Sequence, residues 1–203
     1  MAMPAVTLCV CVTPSYRHWI DDDPVNAISS CRAQTYAPHD LHVLNFDDGA
    51  KVWFMFQKAL DTVKTPFYSV VGADDRIGAQ YVELCMEALL KDELMACATT
   101  GAVLIDRKGE VIGHDEHWCA GVWRTELARV CGGYRRPSHN GEWGSAGELV
   151  VRASSSGFRC YISPAREYYY RIWSGSVSKP DPMIDRKIAE RKPGQYFVLG
   201  DER

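Results

Sequence analysis

The sequence predicts an α/β fold in three layers, with helices covering both faces of a mainly parallel central sheet. Apolar runs of strand length alternate with helical patterns up to about residue 94, and this order requires crossover connections between parallel strands. The first run, Val6 to Val12, is apolar throughout and rich in β-branched residues. Such a run is typical of a strand that is buried on both faces.

The next elements of this first half are marked by caps and by changes of period. Asp23 and Pro24 have the residue types of an N-cap and a first helical position, which predicts a helix reaching about Ala33. The following elements are a strand over 41–46, a helix over about 51–63, a strand over 67–71 and a helix over 81–90.

After about residue 94 the alternation stops, and a smaller mixed part is expected. Two apolar runs flank the turn "DRKG" and predict a hairpin. A short helix capped by Thr125, a helix over about 148–155 and a strand at "FRCYIS" follow. We expect one domain over 1–179, divided into 6–94 and 95–179, and a polar C-terminal tail over 180–203 that holds a short helical stretch and a strand at "QYFVL".

Composition and charge exclude some classes of function. The 203 residues carry a net charge of −3, and the pI is about 6.1, so no general attraction to nucleic acid or to an anionic membrane is expected. No apolar run approaches the ~18 residues of a membrane span, which predicts a soluble, cytoplasmic protein. The 8 cysteines lie singly and form no C-x-x-C pair, so we expect buried free thiols.

Polar residues follow each of the first three strands, as "TPSYR", "DDGA" and "ADDR". Ligands of open α/β sheets bind beyond the carboxyl ends of the strands, so the pairs Asp47/Asp48 and Asp74/Asp75 are expected at one edge. Neighbouring carboxylates raise each other's pKa unless a cation compensates, and Mg²⁺ or Mn²⁺ prefers such oxygen ligands. The alternative is that both pairs only cap helices and form turns.

The sequence contains neither of the glycine-rich phosphate loops, G-x-x-x-x-G-K-[ST] or G-x-G-x-x-G. A bound phosphate would therefore be held through a metal ion or through basic side chains.

Six segments together resemble glycosyltransferase family 2, whose members have the GT-A (Rossmann-like) fold. They occur in the family's order between Val6 and Ser178, and they are "VTLCVCVTPSYR", "ISSCRAQTY", "LHVLNFDDGA", "FYSVVGADDR", "GYRR" and "YYYRIWSGSVS". The resemblance implies a metal-dependent inverting transferase with a nucleotide-sugar donor, expected to be a UDP-sugar. It also implies that 6–94 binds the donor and that 95–179 binds the acceptor.

The resemblance assigns roles to individual residues. Asp47 or Asp48 would accept a hydrogen bond from the base or ribose, and Ala73 and Asp74 would contact the donor. Asp74 would be the main ligand of Mn²⁺ or Mg²⁺, with Asp75 beside it. The loop after the first strand would grip the nucleoside, with the residues Thr13, Pro14, Ser15, Tyr16 and Arg17.

Three positions depart from the family pattern. Gly72 stands where many members have the first Asp of a D-x-D motif, and Trp173 stands where a His is common. Ser145 and Ala146 occupy the positions of an acidic pair that precedes the Arg matched to Arg152. An inverting transfer needs a carboxylate to take the proton of the acceptor hydroxyl, and the nearest candidates are Glu142 and Glu148.

The acceptor and the activity stay open at this stage. A glycan, a small molecule or a modified base in DNA, as for a phage enzyme, would each suit a short stand-alone transferase. The three departures also allow a catalytically inactive nucleotide-sugar-binding module. A nucleotidyltransferase would share the nucleotide-binding half, but the first strand is not followed by a glycine-rich pyrophosphate loop.

Overall fold

The computed structural model describes residues 3–115, 120–136 and 145–172. In these ranges the strands are β1 (Val6–Val12), β2 (Asp40–Asn45), β3 (Phe67–Gly72), β4 (Arg76–Ile77), β5 (Met95–Ile105), β6 (Val111–Asp115), β7 (Val122–Arg124) and β8 (Arg159–Arg171). The helices are α1 (Arg17–Asp21), α2 (Ala27–Arg32), α3 (Val52–Thr62), α4 (Tyr81–Lys91), α5 (Thr125–Val130) and α6 (Ser145–Ser155). A single 3₁₀ turn, Pro14–Tyr16, precedes α1.

The described strands form one mixed sheet in the order β2-β1-β3-β7-β5-β8-β4, and β6 pairs with β5 outside this path. β1 is parallel to β2 and to β3, and β5 is parallel to β8. The short β7 lies between β3 and β5 and is antiparallel to both. The α/β class is confirmed, and parallel pairing is confined to two groups of strands because β7 separates them.

Side chains of β1 pack into cores on both faces of the sheet. Val6, Leu8, Val10 and Val12 contact one cluster, which includes buried residues of α2 and α4. Cys9 and Cys11 belong to the other cluster, which includes residues of α3 and α6. The prediction of a strand buried on both faces is therefore confirmed, and each fully buried Val or Leu contributes about 1.5–3 kcal/mol of transfer free energy.

The cysteines in the described ranges are buried free thiols, as predicted. Burial raises the pKa of the Cys11 thiol to about 12 and that of Cys31 to the same value. A thiol in this state is neutral at physiological pH and behaves as a small apolar side chain. Cys119 lies outside the described residues.

Two predicted helix caps are wrong. Asn26, not Asp23, caps α2, because the Asn26 side chain accepts a hydrogen bond from the backbone N–H of Ser29 at 2.9 Å. Asp23 instead accepts from the N–H of Val25 at 2.9 Å, which closes a turn before the helix. Thr125 is the first residue of α5, and its hydroxyl donates to the carbonyl of Thr65 at 2.7 Å.

β8 extends well beyond the strand predicted at "FRCYIS". It runs for 13 residues to Arg171 and pairs with β5 through register shifts near Gly101. Its last residues also pair with β4, which together with α1 and β7 has no counterpart in the sequence prediction. The predicted tail over 180–203, with its helical stretch and the strand at "QYFVL", lies outside the described residues.

No helix in the described ranges is both long enough and apolar enough to cross a membrane. The division at about residue 94 and the end of the domain at 179 remain predictions.

Candidate functional site

The carboxyl ends of five described strands share one edge of the sheet. β1, β2 and β3 are mutually parallel, and β7, antiparallel to both β3 and β5, brings β5 and its parallel partner β8 into the same direction. We call this edge, with the residues that follow these strands, the carboxyl rim. Arg124 ends the antiparallel β7 and therefore lies at the opposite edge.

An open depression of about 970 Å³ lies at the carboxyl rim, where β1 and β2 end. Four of the residues predicted to bind the nucleotide line it, namely Thr13, Pro14, Arg17 and Asp47. Phe46 and Phe54 also line it and were not predicted. Phe54 is 40% exposed on α3. Its position shortly after the "DDGA" turn is the feature of the sequence that could have identified it as a contact of the nucleotide.

Asp48 does not line this depression but ties its two loops together. Its Oδ1 accepts a hydrogen bond from the backbone N–H of Ser15 at 2.9 Å. This bond, followed by contacts with the side chains of Ser15 and Thr13, holds the pKa of Asp48 below its ordinary value. Tyr16, from the same loop, packs against the apolar cluster on one face of the sheet. Of the two predicted contacts for base or ribose, Asp47 is the one that faces the depression.

The adjacent carboxylates Asp74 and Asp75 have different environments. Asp75 is buried, with Oδ2 accepting from the Tyr168 hydroxyl at 2.7 Å and Oδ1 accepting from the backbone N–H of Arg171 at 2.9 Å. Burial, together with the charge of Asp74, raises the pKa of Asp75 to about 8. Asp74 is half-buried at the carboxyl rim, and Ala73 before it is buried in the core. The pair is therefore divided between the rim and the interior.

Gly72 provides the space in which these two carboxylates lie. A Cβ atom at this position would be 2.7 Å from Oδ2 of Asp75 and 3.2 Å from Oδ1 of Asp74. An Asp side chain at position 72 would push Asp75 away from Tyr168. The glycine that departs from the D-x-D pattern thus leaves the space that the carboxylates of Asp74 and Asp75 occupy.

The described residues contain no group of three or more His, Cys, Asp or Glu side chains that could hold a metal ion. Mg²⁺, however, is commonly held by one or two carboxylates together with substrate phosphates and water. The half-buried carboxylate of Asp74 fits that mode. Asp75 fits it poorly, because both of its oxygens already accept hydrogen bonds from the protein.

Glu148, one of the two candidate catalytic bases, pairs with Arg152 on α6. Oε1 of Glu148 is 3.3 Å from Nε of Arg152, and the Arg152 guanidinium also donates to the carbonyls of Cys131 and Gly133. Glu148 therefore supports a contact between α6 and the end of α5. Glu142 and Trp173 lie outside the described residues, and Ser145 and Ala146 begin α6.

No protein-family model matches the sequence, and a search of curated proteins finds no match. Solved structures do match. The Pyrobaculum calidifontis mannosyltransferase PcManGT, in complex with GDP-Man and Mn²⁺, superimposes with a TM-score of 0.60 at 12% identity, over 86% of this chain and 59% of that chain. S. aureus TarS gives 0.58 at 11% identity, over 83% of this chain and 37% of that one.

A shorter form of the same protein, TarS 1-349, gives a TM-score of 0.55 at 12% identity, over 82% of this chain and 60% of that chain. This chain therefore spans less than two thirds of the length of each of these structures. At such low identity the likeness concerns the fold alone. The chain has the GT-A-like fold of glycosyltransferases.

Proposed function

We propose that the protein is a glycosyltransferase that transfers a sugar from a nucleotide-sugar to an acceptor hydroxyl, with Mn²⁺ or Mg²⁺ as cofactor and inversion at the anomeric carbon. One observation carries the proposal: the depression at the ends of β1 and β2 and the carboxylate of Asp74 after β3 share the carboxyl rim. In open α/β sheets this edge is where ligands bind. The mannosyltransferase with GDP-Man and Mn²⁺ supports the same class of donor and cofactor.

The depression would hold the nucleoside of the donor. Asp47 would accept a hydrogen bond from the base or ribose, and the exposed ring of Phe54 offers a surface on which a base can stack. Asp48 would keep the two loops in register through Ser15. The resemblance noted above favours a UDP-sugar, and PcManGT was solved with a GDP-sugar, so both nucleotides belong in the test.

Asp74 would hold the metal ion, with the donor's diphosphate completing the ligand set. When bound, the ion would neutralise negative charge on the diphosphate leaving group. The acceptor oxygen would form its bond to the anomeric carbon on the face opposite the diphosphate, whose bond to that carbon breaks. A carboxylate would take the proton of the acceptor hydroxyl. We assign this base to Glu142, because Glu148 is engaged with Arg152.

A second candidate function is a nucleotide-sugar-binding module without transfer. It is favoured by two observations: both oxygens of Asp75 accept hydrogen bonds within the fold, and Glu148 is ion-paired with Arg152. Two of the acidic residues predicted to act as metal ligand or base are thus engaged in holding the structure. The acceptor remains open between a glycan, a small molecule and a modified DNA base. A net charge of −3 does not favour DNA.

Calorimetry with a panel of UDP- and GDP-sugars tests donor binding. We expect binding of at least one donor in the presence of Mn²⁺, and loss of that binding in EDTA. No binding of any donor, with or without metal, would reject the proposal. Release of free nucleotide from the bound donor, with a glycan acceptor or with water, then separates a transferase from a binding module.

A further inference from the structure

Arg171, the last residue of β8, is a buried arginine that joins separate segments of the carboxyl rim. Arg171 is only 2% exposed. Nε donates to the carbonyl of Asp74 at 2.8 Å, and Nη2 donates to Oδ2 of Asp23 at 2.8 Å. The guanidinium carbon also lies 4.4 Å from the centre of the Trp19 ring, on α1. One side chain thus contacts both the loop after β3 and the segment between α1 and α2.

The same guanidinium also holds the turn between β5 and β6. Nη1 donates to the carbonyls of Asp106 and Arg107, each at 3.0 Å. The backbone N–H of Arg171 donates to Oδ1 of Asp75 at 2.9 Å. The main chain of Arg171 therefore binds Asp75, and its side chain binds the neighbouring Asp74. Three loops that are distant in the sequence therefore meet at one residue.

The chemistry of this contact requires arginine. A guanidinium presents five N–H donors in a rigid planar fork, whereas a lysine ammonium is a point charge on a flexible stem. Only the fork can bind the carbonyl of Asp74 and the carboxylate of Asp23 in two directions at once while stacking on Trp19. Lysine would preserve the charge and lose part of this geometry.

We propose that Arg171 is a positioning residue of the donor site, which fixes the main chain of Asp74 and thereby holds the Asp74 carboxylate in place for the metal ion. The inference rests on the proposed function, because it concerns the residue that would bind the metal. Arg171 itself touches neither donor nor metal. It acts by setting where the loop after β3 lies relative to β1 and to the β5–β6 turn.

The chain contains a matched control at the opposite edge of the sheet. Arg124 also binds several carbonyls, those of Leu89, Asp92 and Met95, and also stacks on an aromatic ring, at 5.1 Å from the centre of Phe67. Arg124→Lys therefore disturbs the same kinds of contact, carbonyl hydrogen bonds and an aromatic stack, away from the carboxyl rim. Only Arg171→Lys should change metal-dependent binding.

The experiment compares the 203-residue wild-type chain, Arg171→Lys and Arg124→Lys by calorimetry with UDP and with GDP, each in Mn²⁺ and in EDTA. We expect Arg171→Lys to weaken nucleotide affinity about tenfold in Mn²⁺ and to leave any affinity in EDTA unchanged, since the role acts through the metal ligand. Arg124→Lys should match the wild type in both. Equal affinity of Arg171→Lys and wild type in Mn²⁺, or an equal loss in both conditions, would overturn the proposal.

Two additions keep every outcome informative. If Arg171→Lys does not fold, Asp23→Asn removes the charged partner while leaving an oxygen for Val25, and it should give a smaller Mn²⁺-dependent loss; no loss would overturn the proposal. If the wild type binds neither nucleotide, the proposed function fails. Amide hydrogen exchange then tests separately whether Arg171 fixes the loop after β3. Faster exchange over 74–76 and 106–110 in Arg171→Lys than in Arg124→Lys then supports the positioning role, and equal exchange overturns it.

Discussion

The hydroxyl of Tyr168 donates to Oδ2 of Asp75 across 2.7 Å, inside the protein. Together with the hydrogen bond from the backbone N–H of Arg171 to Oδ1, this bond gives Asp75, the second Asp of "ADDR", a structural role. The first carboxylate, on Asp74, stays at the carboxyl rim. The two acidic side chains that follow β3 therefore have separate tasks, one structural and one proposed to be functional.

Removing the Asp75 side chain should destabilise the protein. Asp75→Ala leaves the Tyr168 hydroxyl and the Arg171 N–H without their acceptor, so we expect a loss of about 2–4 kcal/mol in the free energy of unfolding. Asp75→Asn should cost less, because the amide oxygen can accept from Arg171 while the amide N–H donates to the Tyr168 oxygen. Urea denaturation measures both, and equal losses for Ala and Asn would contradict this account.

A side chain at position 72 should disturb the same pair. Gly72→Ala places a Cβ 2.7 Å from Oδ2 of Asp75, and we expect it to lower the free energy of unfolding by about 1–3 kcal/mol. Gly113→Ala is the control, since its Cβ would meet only Leu104 at 3.6 Å, and it should stay within about 0.5 kcal/mol of wild type. Wild-type stability of both variants would contradict the claim that a Cβ at position 72 displaces the Asp75 carboxylate.

The two carboxylates of "DDGA" should respond differently to substitution. Asp48→Asn keeps an oxygen that can accept from the N–H of Ser15, so we expect near wild-type nucleotide affinity. Asp48→Ala removes this acceptor and releases the loop, so we expect weaker nucleotide binding. Asp47→Ala should weaken nucleotide binding by about tenfold, because Asp47 faces the depression. Calorimetry with UDP and GDP tests all three variants. An Asp47→Ala protein with full affinity would place the nucleoside elsewhere.

Glu148 and Glu142 should separate into a structural and a catalytic residue. Glu148→Gln weakens the pair with Arg152 and should lower the free energy of unfolding by about 1 kcal/mol while leaving kcat unchanged. Glu142→Gln should lower kcat by about 10²–10⁴-fold at unchanged stability, as expected for loss of a general base. Transfer assays measure kcat, and urea denaturation measures the free energy of unfolding. A large loss of kcat in Glu148→Gln, with wild-type kcat in Glu142→Gln, would make Glu148 the catalytic base.

The fold could be predicted where local pattern and global structure agree. The apolar run of β1 has the length of a buried strand, and the 11-residue helices α3 and α4 carry helical periodicity. The positions of all three are therefore predicted nearly to the residue. The short elements were missed for a physical reason. β7 has 3 residues and β4 has 2, too few for any period, and both are fixed by their pairing partners.

The site could be predicted as an edge of the sheet and only partly as a set of contacts. The alternation of strands and helices, together with the polar residues that follow the strands, predicts that Asp47 and Asp74 lie at the carboxyl rim. The inward turn of Asp75 was not predictable, because its partners Tyr168 and Arg171 lie more than 90 residues away. The pairing of Glu148 with Arg152 was within reach, since i,i+4 charges of this order on a helix attract each other.

The most direct test of the central claim is the effect of Asp74→Ala on Mn²⁺-dependent nucleotide binding. Asp61→Ala is the matched control, because Asp61 is an exposed carboxylate on α3 that pairs with Lys58 and Gln57. We predict that calorimetry with UDP and GDP shows Mn²⁺-dependent binding in the wild type and in Asp61→Ala, and none in Asp74→Ala. Equal Mn²⁺-dependent affinity of Asp74→Ala and wild type would contradict the assignment of the metal site to the carboxyl rim.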